Sequence, residues 1–467
     1  MNSAEFRRQA HGVVDWIANY LDTIEPRAPV PDVRPGDIRR QLPAEAPEQG
    51  EPFERIFADF ERIIVPGLAH WQHPGWFAYF ASNASPPSIL AEMLAAGVAV
   101  NCMSWATSPA ATELEQVTLD WLRRLLGFPE AFSGVIQDTA STATFTATIV
   151  GRDQAWRRAG RDARLVFYAS EEAHSSVWKA ARLAGFGESD VRRIATDAAF
   201  AMQPDALAAA LEADQAQGRV PAVVVATIGS TSSTAIDPVP VIGRLTRTHG
   251  SFLHVDAAWA GSAALLPECR HYFAGLELAD SVVVNPHKWL GVHFDCTAHY
   301  VRDPGLLQQS FALTPEYLRS VHDAEVVNYR DWGIPLGRRF RALKLWMVLR
   351  NSGAEALRAM IRQHLRWGES FGSWVDADPE FERMAPVSFA LVCFRHRPAG
   401  LDEAELDQHN RRLLALINAS GRVHLIGTSL RGRFVIRMAI GQRSTEERHV
   451  REAWDIIRAS ANRTGEG

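Results

Sequence analysis

Arginine has displaced lysine almost everywhere in this chain of 467 residues: among 49 basic residues only Lys179, Lys288 and Lys344 are lysines. Where charge alone is needed, arginine serves, so a surviving lysine points to something a guanidinium cannot do. A desolvated lysine loses its proton and attacks a carbonyl to form a Schiff base, whereas arginine stays charged. Lys288 follows Ser281-Val282-Val283-Val284-Asn285-Pro286-His287, a β-branched run that reads as a buried strand ending in a proline turn. Its amine is therefore presented at the strand's carboxyl end. Lys179 and Lys344 lie in helical stretches and read as surface lysines with their stems laid along the protein.

Three other strand-like runs end in groups with chemistry to offer. Phe252-Leu253-His254-Val255-Asp256 closes on an acid among small residues. A buried carboxylate needs a cation, and a pyridinium nitrogen is one such partner; a hydrogen bond to loop amides is the plainer alternative. Gly134–Gln137 is followed by Asp138-Thr139-Ala140-Ser141, small residues opening an alanine-rich helix. Free N–H groups there suit a phosphate, though ordinary capping by Asp138 or Thr139 competes. His174 follows the strand ending at Tyr168 and can stack on an aromatic ring or shuttle a proton. A phosphate cup, a stacking ring, an acid for a pyridinium and an amine for an aldehyde together fit pyridoxal 5′-phosphate (PLP).

Other chemistries find little support. Cys102, Cys269, Cys296 and Cys393 lie far apart, with no Cys-x-x-Cys or His-Glu-x-x-His, so no metal site is expected. No phosphate-binding Gly-x-Gly-x-x-Gly or Walker loop is present. Gly368-Glu369-Ser370-Phe371-Gly372 matches Gly-x-Ser-x-Gly but follows a helical stretch, not a strand. A net charge of −5 gives no reason to bind nucleic acid, and no apolar run approaches a membrane span or signal-peptide core. With unpaired cysteines as well, a cytoplasmic enzyme is expected.

The elements that must position these groups follow from periodicity. Residues 3–22 carry one apolar stripe and read as a helix, tethered by the proline-rich stretch Pro26 to Pro52. Such a helix covers its stripe against either its own body or another subunit. Strands are expected at Gly134–Gln137, Leu165–Tyr168, Ala222–Thr227, Ser251–Val255, Asp280–Asn285 and Cys296–Val301, with helices such as Ala206–Gln217 between. This alternation predicts an α/β fold, a mostly parallel central sheet with helices on both faces and ligands beyond the strands' carboxyl ends. From about Arg339 a helical stretch leads to strand-like pieces at Phe389–Phe394, Val423–Ile426 and Phe434–Ile440, then a helix over Glu446–Ala461. The expected division is an N-terminal helical arm and dimer clasp (1–85), a large PLP-binding domain (86–345) and a small C-terminal α+β domain (346–467).

Several segments together resemble the aromatic L-amino-acid decarboxylases of the group II PLP-dependent decarboxylases. They are Asn285-Pro286-His287-Lys288-Trp289, His254-Val255-Asp256-Ala257-Ala258, Ala173-His174-Ser175-Ser176, Pro335-Leu336-Gly337-Arg338-Arg339-Phe340-Arg341, Phe77-Ala78-Tyr79-Phe80 and Ser104-Trp105. The similarity runs nearly end to end. It implies a homodimer of PLP fold type I with active sites at the interface. By this resemblance Lys288 holds PLP as a Schiff base, Asp256 pairs with the pyridine nitrogen and His174 stacks on the ring. Thr139, Ala140, Ser141 and Asn285 surround the phosphate, with Thr231 and His287 as further cofactor contacts. Tyr317 matches the tyrosine of a mobile catalytic loop. Trp71, Tyr79, Phe80 and Ser82 would line the substrate pocket, Asn101 and Met103 would reach in from the partner subunit, and Gly337 would leave room for a large ring.

The implied reaction is decarboxylation of tryptophan, 5-hydroxytryptophan, DOPA, tyrosine or phenylalanine to the arylalkylamine. An aromatic aldehyde synthase or a histidine decarboxylase on the same fold are the alternatives; His174 and Tyr317 argue against the first, Gly337 against the second. A catalytically inert binding protein of this fold is disfavoured because every site residue is in place. Asp138, where animal members have glycine, puts an acid beside the phosphate cup or caps the helix. Asn101 and Met103 replace larger apolar and aromatic residues, making the far end of the pocket more polar.

Overall fold

The computed structural model describes residues 1–313, 315–316, 320–323 and 325–464. Seven strands form the large sheet: β1 (Ser133–Gln137), β2 (Leu165–Ser170), β3 (Val191–Ile194), β4 (Val220–Thr227), β5 (Phe252–Asp256), β6 (Ser281–Val284) and β7 (Thr297–Val301). Their order is β1-β7-β6-β5-β4-β2-β3. Neighbours from β3 to β6 run parallel, and β7 runs antiparallel to both β6 and β1. The central strands are continuous apolar runs because helices cover both faces. Along them alternate residues feed separate cores: Val166, Tyr168, Val224 and Ala226 on one side, Leu165, Phe167, Val223 and Val225 on the other. The six strands expected here form within two residues of the expected ends.

A second, antiparallel sheet has the order β10-β11-β9-β8, from β8 (Phe381–Arg383), β9 (Leu391–His396), β10 (Ile426–Leu430) and β11 (Arg433–Ala439). Two helical segments spanning Arg341–Ala377 connect the sheets and meet at Gly353, whose φ of 69° and ψ of 162° interrupt the helix. The strand expected at Val423–Ile426 starts only at Ile426. Val423–Leu425 is drawn away to the N-terminal segment, where His424 exchanges backbone hydrogen bonds with Gly75 and Phe77 at 2.9 Å each.

The first helix, Ser3–Asp22, has no fully buried residue. Trp16 packs on Phe57 and Phe60, and Tyr20 bonds His70, so one side rests on its own chain while Phe6 and Val14 stay exposed. Lys344 overturns its surface reading. Helix Pro86–Val98 covers it, leaving the side chain 1% exposed with Nζ 3.1 Å from Glu92. The Gly368–Gly372 string lies within a helix, as its context predicted. Among the described residues no helix is long and apolar enough to cross a membrane, and no cluster could hold a metal ion.

Candidate active site

The parallel strands point their carboxyl ends to one side, and there a cavity of about 220 Å³ opens. Lys288, Asp256, His174, Thr139, Ala140, Ser141, Thr231, Asn285 and His287 all line it, together with Phe80. Residues far apart in sequence thus converge on one small space, because β1, β2, β4, β5 and β6 all end beside it, with Phe80 added from the N-terminal segment. A larger groove of about 1120 Å³ flanks the small sheet between Trp374, Phe381 and Arg451, and its lining holds no lysine, histidine, cysteine or serine.

Lys288 sits in the short helix Pro286–Trp289 after β6, half-buried, with Nζ 5.4 Å from the centroid of Phe80. Burial pushes its pKa below that of an ordinary lysine; the Asp256 carboxylate opposes this and the Arg437 guanidinium reinforces it. Asn83 fixes the turn by donating from Nδ2 to the Lys288 carbonyl at 2.7 Å. Asp256 ends β5 and is 7% exposed. Its Oδ1 accepts the Ala258 N–H at 3.0 Å, yet among the described residues no Lys or Arg reaches ion-pair distance. A buried carboxylate so placed is fitted to receive a cationic ligand.

His174 caps the helix Ser175–Leu183: its Nδ1 accepts the Ser176 N–H at 3.2 Å and lies 2.7 Å from Ser176 Oγ. An accepting Nδ1 carries no proton, so the ring is neutral with the proton on Nε2. Desolvation by the cavity wall also pushes its pKa down, against the pull of Asp256, although the ring edge is open to the cavity. His287 is held likewise: Nδ1 accepts the Cys296 N–H at 3.0 Å, and burial pushes its pKa down to about 3.

Thr139 is the N-cap of helix Ala140–Ala159, with Oγ1 accepting from Thr142 N–H at 3.4 Å. The N–H groups of Ala140 and Ser141 have no intrahelical acceptor and remain for an anion. Asp138 does not cap; it accepts the Thr139 N–H at 2.6 Å, because the extended backbone of Thr139 places that residue at the cap. Asn285 Oδ1 accepts from the Thr297 hydroxyl at 2.8 Å, which leaves its NH2 group to donate to a ligand. These donors, the unpaired acid and the desolvated amine fit a phosphorylated pyridine aldehyde.

Of the expected substrate residues only Phe80 lines this cavity. Trp71 and Tyr79 stack at 5.4 Å on the segment that carries Phe80, and the Ser82 carbonyl accepts from Gln72 at 3.0 Å. Tyr79 has a φ of 57°, a left-handed backbone that a non-glycine residue rarely adopts. Asn101, Met103 and Gly337 gather elsewhere. Asn101 Oδ1 accepts the Arg338 N–H at 3.0 Å, the Met103 carbonyl accepts that of Arg330 at 2.8 Å, and a Cβ on Gly337 would lie 3.7 Å from Asn101. Tyr317 lies outside the described residues.

Ser176, Thr227, Gly229, Ala258 and Trp259 also line the cavity without having been singled out. Gly229 had a readable signal, a glycine just after a buried strand; its φ is 81° and a Cβ would stand 2.4 Å from that of Ala260. Trp259 had none, since its role depends on stacking with Phe80 and with Trp289, each at 4.2 Å.

The model of the pyridoxal-dependent decarboxylase conserved domain matches residues 35–397. The chain belongs to the pyridoxal-dependent decarboxylases. It is 44% identical to the aromatic-L-amino-acid decarboxylase of Sus scrofa over 482 residues, covering 99% of this chain and 97% of that one. Phenylacetaldehyde synthase of Arabidopsis thaliana is 43% identical over 474 residues, with 99% and 97% covered. The structure of Oryza sativa TDC with PLP and tryptamine matches with a TM-score of 0.97 and 38% identity, over 99% of each chain. The cofactor of this decarboxylase is accordingly PLP, and its fold is the fold type I expected from the sequence.

Proposed function

We propose that this decarboxylase converts an aromatic L-amino acid, of the indole or phenol class, to its arylalkylamine. The observation that carries the reading is the buried, unpaired Asp256 sharing one cavity with the desolvated Lys288. Bound PLP supplies an electron sink for the pair left on Cα when CO2 departs. Lys288 anchors the aldehyde carbon through its amine, and Asp256 keeps the pyridine nitrogen protonated. Neutral His174 covers the ring. Thr139, Ser141, Asn285 and the Ala140 N–H hold the phosphate, with Thr231 and His287 completing the wall. Tyr317 delivers to Cα the proton that replaces CO2. Trp71, Tyr79, Phe80 and Ser82 receive the aromatic side chain.

Asn101 and Met103 are assigned to the neighbouring subunit's site and Gly337 to the room left there for a large ring; the three gather together, away from the cavity of their own chain. A homodimer is supported by the exposed Leu90, Leu94 and Val98 on helix Pro86–Val98. Four buried, unpaired cysteines support a reducing, cytoplasmic compartment.

The likeness to phenylacetaldehyde synthase keeps a second reading in view, in which amino acid, O2 and water give aldehyde, CO2, ammonia and hydrogen peroxide. One experiment separates them. Tryptophan, 5-hydroxytryptophan, DOPA, tyrosine, phenylalanine, histidine and glutamate are offered to the wild type, Lys288→Arg and Tyr317→Phe, and CO2, amine, aldehyde and peroxide are measured. Wild type releases amine and CO2 in equal amounts from the aromatic substrates. Lys288→Arg loses both turnover and the visible absorbance of the lysine-bound cofactor. Tyr317→Phe makes less amine and diverts towards aldehyde and peroxide. Strict preference for histidine or glutamate, or aldehyde as the wild type's main product, defeats the proposal.

A further inference from the structure

The phosphate cup has an unusual electrostatic setting. Apart from Lys288, which the aldehyde claims, no lysine or arginine among the described residues lines the cavity, so the phosphate cup there is made of neutral donors and a helix terminus. Asp138 stands directly before the cup. Its half-buried carboxylate takes the Thr139 N–H at 2.6 Å and its carbonyl accepts from Thr297 Oγ1 at 3.1 Å, one residue from the Thr139-Ala140-Ser141 wall. A second cavity of about 70 Å³ adjoins Asp138 and is lined by Arg338, Arg339 and Arg341. Each of these arginines is taken by another acid: Arg338 by Glu115 at 2.6 Å, Arg341 by Asp295 at 2.9 Å, and Arg339 by Glu92. Among the described residues no cation reaches ion-pair distance of Asp138.

We infer that Asp138 sets the affinity of the enzyme for its cofactor, its negative charge opposing the phosphate and keeping bound PLP exchangeable. The inference rests on the cup holding the phosphate, as argued above. The competing role is structural: a remote counter-charge for the arginine cluster, since Arg341 senses Asp138. Removing a structural counter-charge would weaken every ligand and the fold alike. Removing a charge that acts on the phosphate strengthens only ligands that carry one.

Asp138→Asn deletes the charge while keeping a carbonyl for the Thr139 N–H. Full-length protein stripped of cofactor is titrated by visible absorbance with PLP and with pyridoxal, which lacks the phosphate; inorganic phosphate serves as competitor against PLP. The variant is expected to bind PLP and phosphate about tenfold more tightly, the size of one partly screened charge nearby, and pyridoxal unchanged. If PLP and pyridoxal shift together, or PLP affinity stays level or falls, the inference is overturned while the cup stands. If the wild type binds PLP no better than pyridoxal, the phosphate is not held in this cup, and both fall. Asp138→Ser makes the same comparison with a hydroxyl acceptor should the asparagine variant fail to fold.

Discussion

Asp256 is buried and takes a single backbone N–H, an expensive way to keep a carboxylate unless a cation arrives. Asp256→Asn keeps the shape and the Ala258 contact, so the protein folds and PLP still binds through Lys288 and the phosphate cup. Without a charge opposite the pyridine nitrogen, turnover is expected to fall by about two orders of magnitude or more. Steady-state kinetics beside cofactor absorbance measure both halves; near-wild-type turnover would make Asp256 a structural residue. The same logic explains why Lys288 could be picked from the sequence while Lys344 misled. Both survive in a chain that otherwise uses arginine, but Lys344 is buried as part of a cluster with Glu92, Arg339 and Arg341, a tertiary fact no local window contains.

At the level of elements, the site depends on where helix Ala140–Ala159 begins. Thr139→Ala removes the cap that satisfies Thr142 and is expected to cost about 1 kcal/mol of stability and to weaken PLP binding. Thr139→Ser retains both, and denaturant unfolding with PLP titration checks the pair; an alanine variant equal to wild type in each would sink the role. The strands that carry the site were legible because strands buried on both faces are short runs rich in apolar residues bounded by polar ones. The edge strand β3 was not. β3 reads Val191-Arg192-Arg193-Ile194, and its arginines hide a strand whose register with β2 is set by pairing alone. Helix Glu403–Asn418 went unmarked even though Asp402 and Glu405 form a capping box, because its polar face outweighs a short apolar stripe. The positions of Asn101, Met103 and Gly337 relative to the cavity could not be read locally either, since they rest on chain packing.

Taken whole, the molecule buries histidines in the neutral form. Burial lowers the pKa of His254, takes His287 and His299 to about 3, and His364 to about 4. In the unfolded chain these rings take up protons near pH 6.5 while the folded ones do not, so stability is lost as pH falls from about 6.5 towards 4. Asp237, raised to about 7 by burial, works the other way, as do the raised carboxyls of Glu172, Asp280 and Asp331, but the lowered histidines outnumber them. Denaturant midpoints should therefore drop steadily between pH 7 and pH 5, and a flat profile would refute the assignment. The quaternary expectation is tested separately: Leu94→Glu places a charge on the exposed apolar helix face and should yield monomers by sedimentation, with turnover lost because Asn101 and Met103 no longer reach a neighbour. A dimer of full activity would move the interface elsewhere.

The column of rings beneath Lys288 has an optical consequence. Of the 14 tryptophans in the chain, Trp259 lines the cavity and lies stacked against Trp289, within van der Waals reach of whatever fills it. A chromophore seated there will take up the emission of these two indoles by energy transfer, since Trp259 lines the cavity itself. The enzyme thus carries its own gauge of occupancy. Its intrinsic fluorescence should report cofactor arrival and departure in real time, without label or substrate.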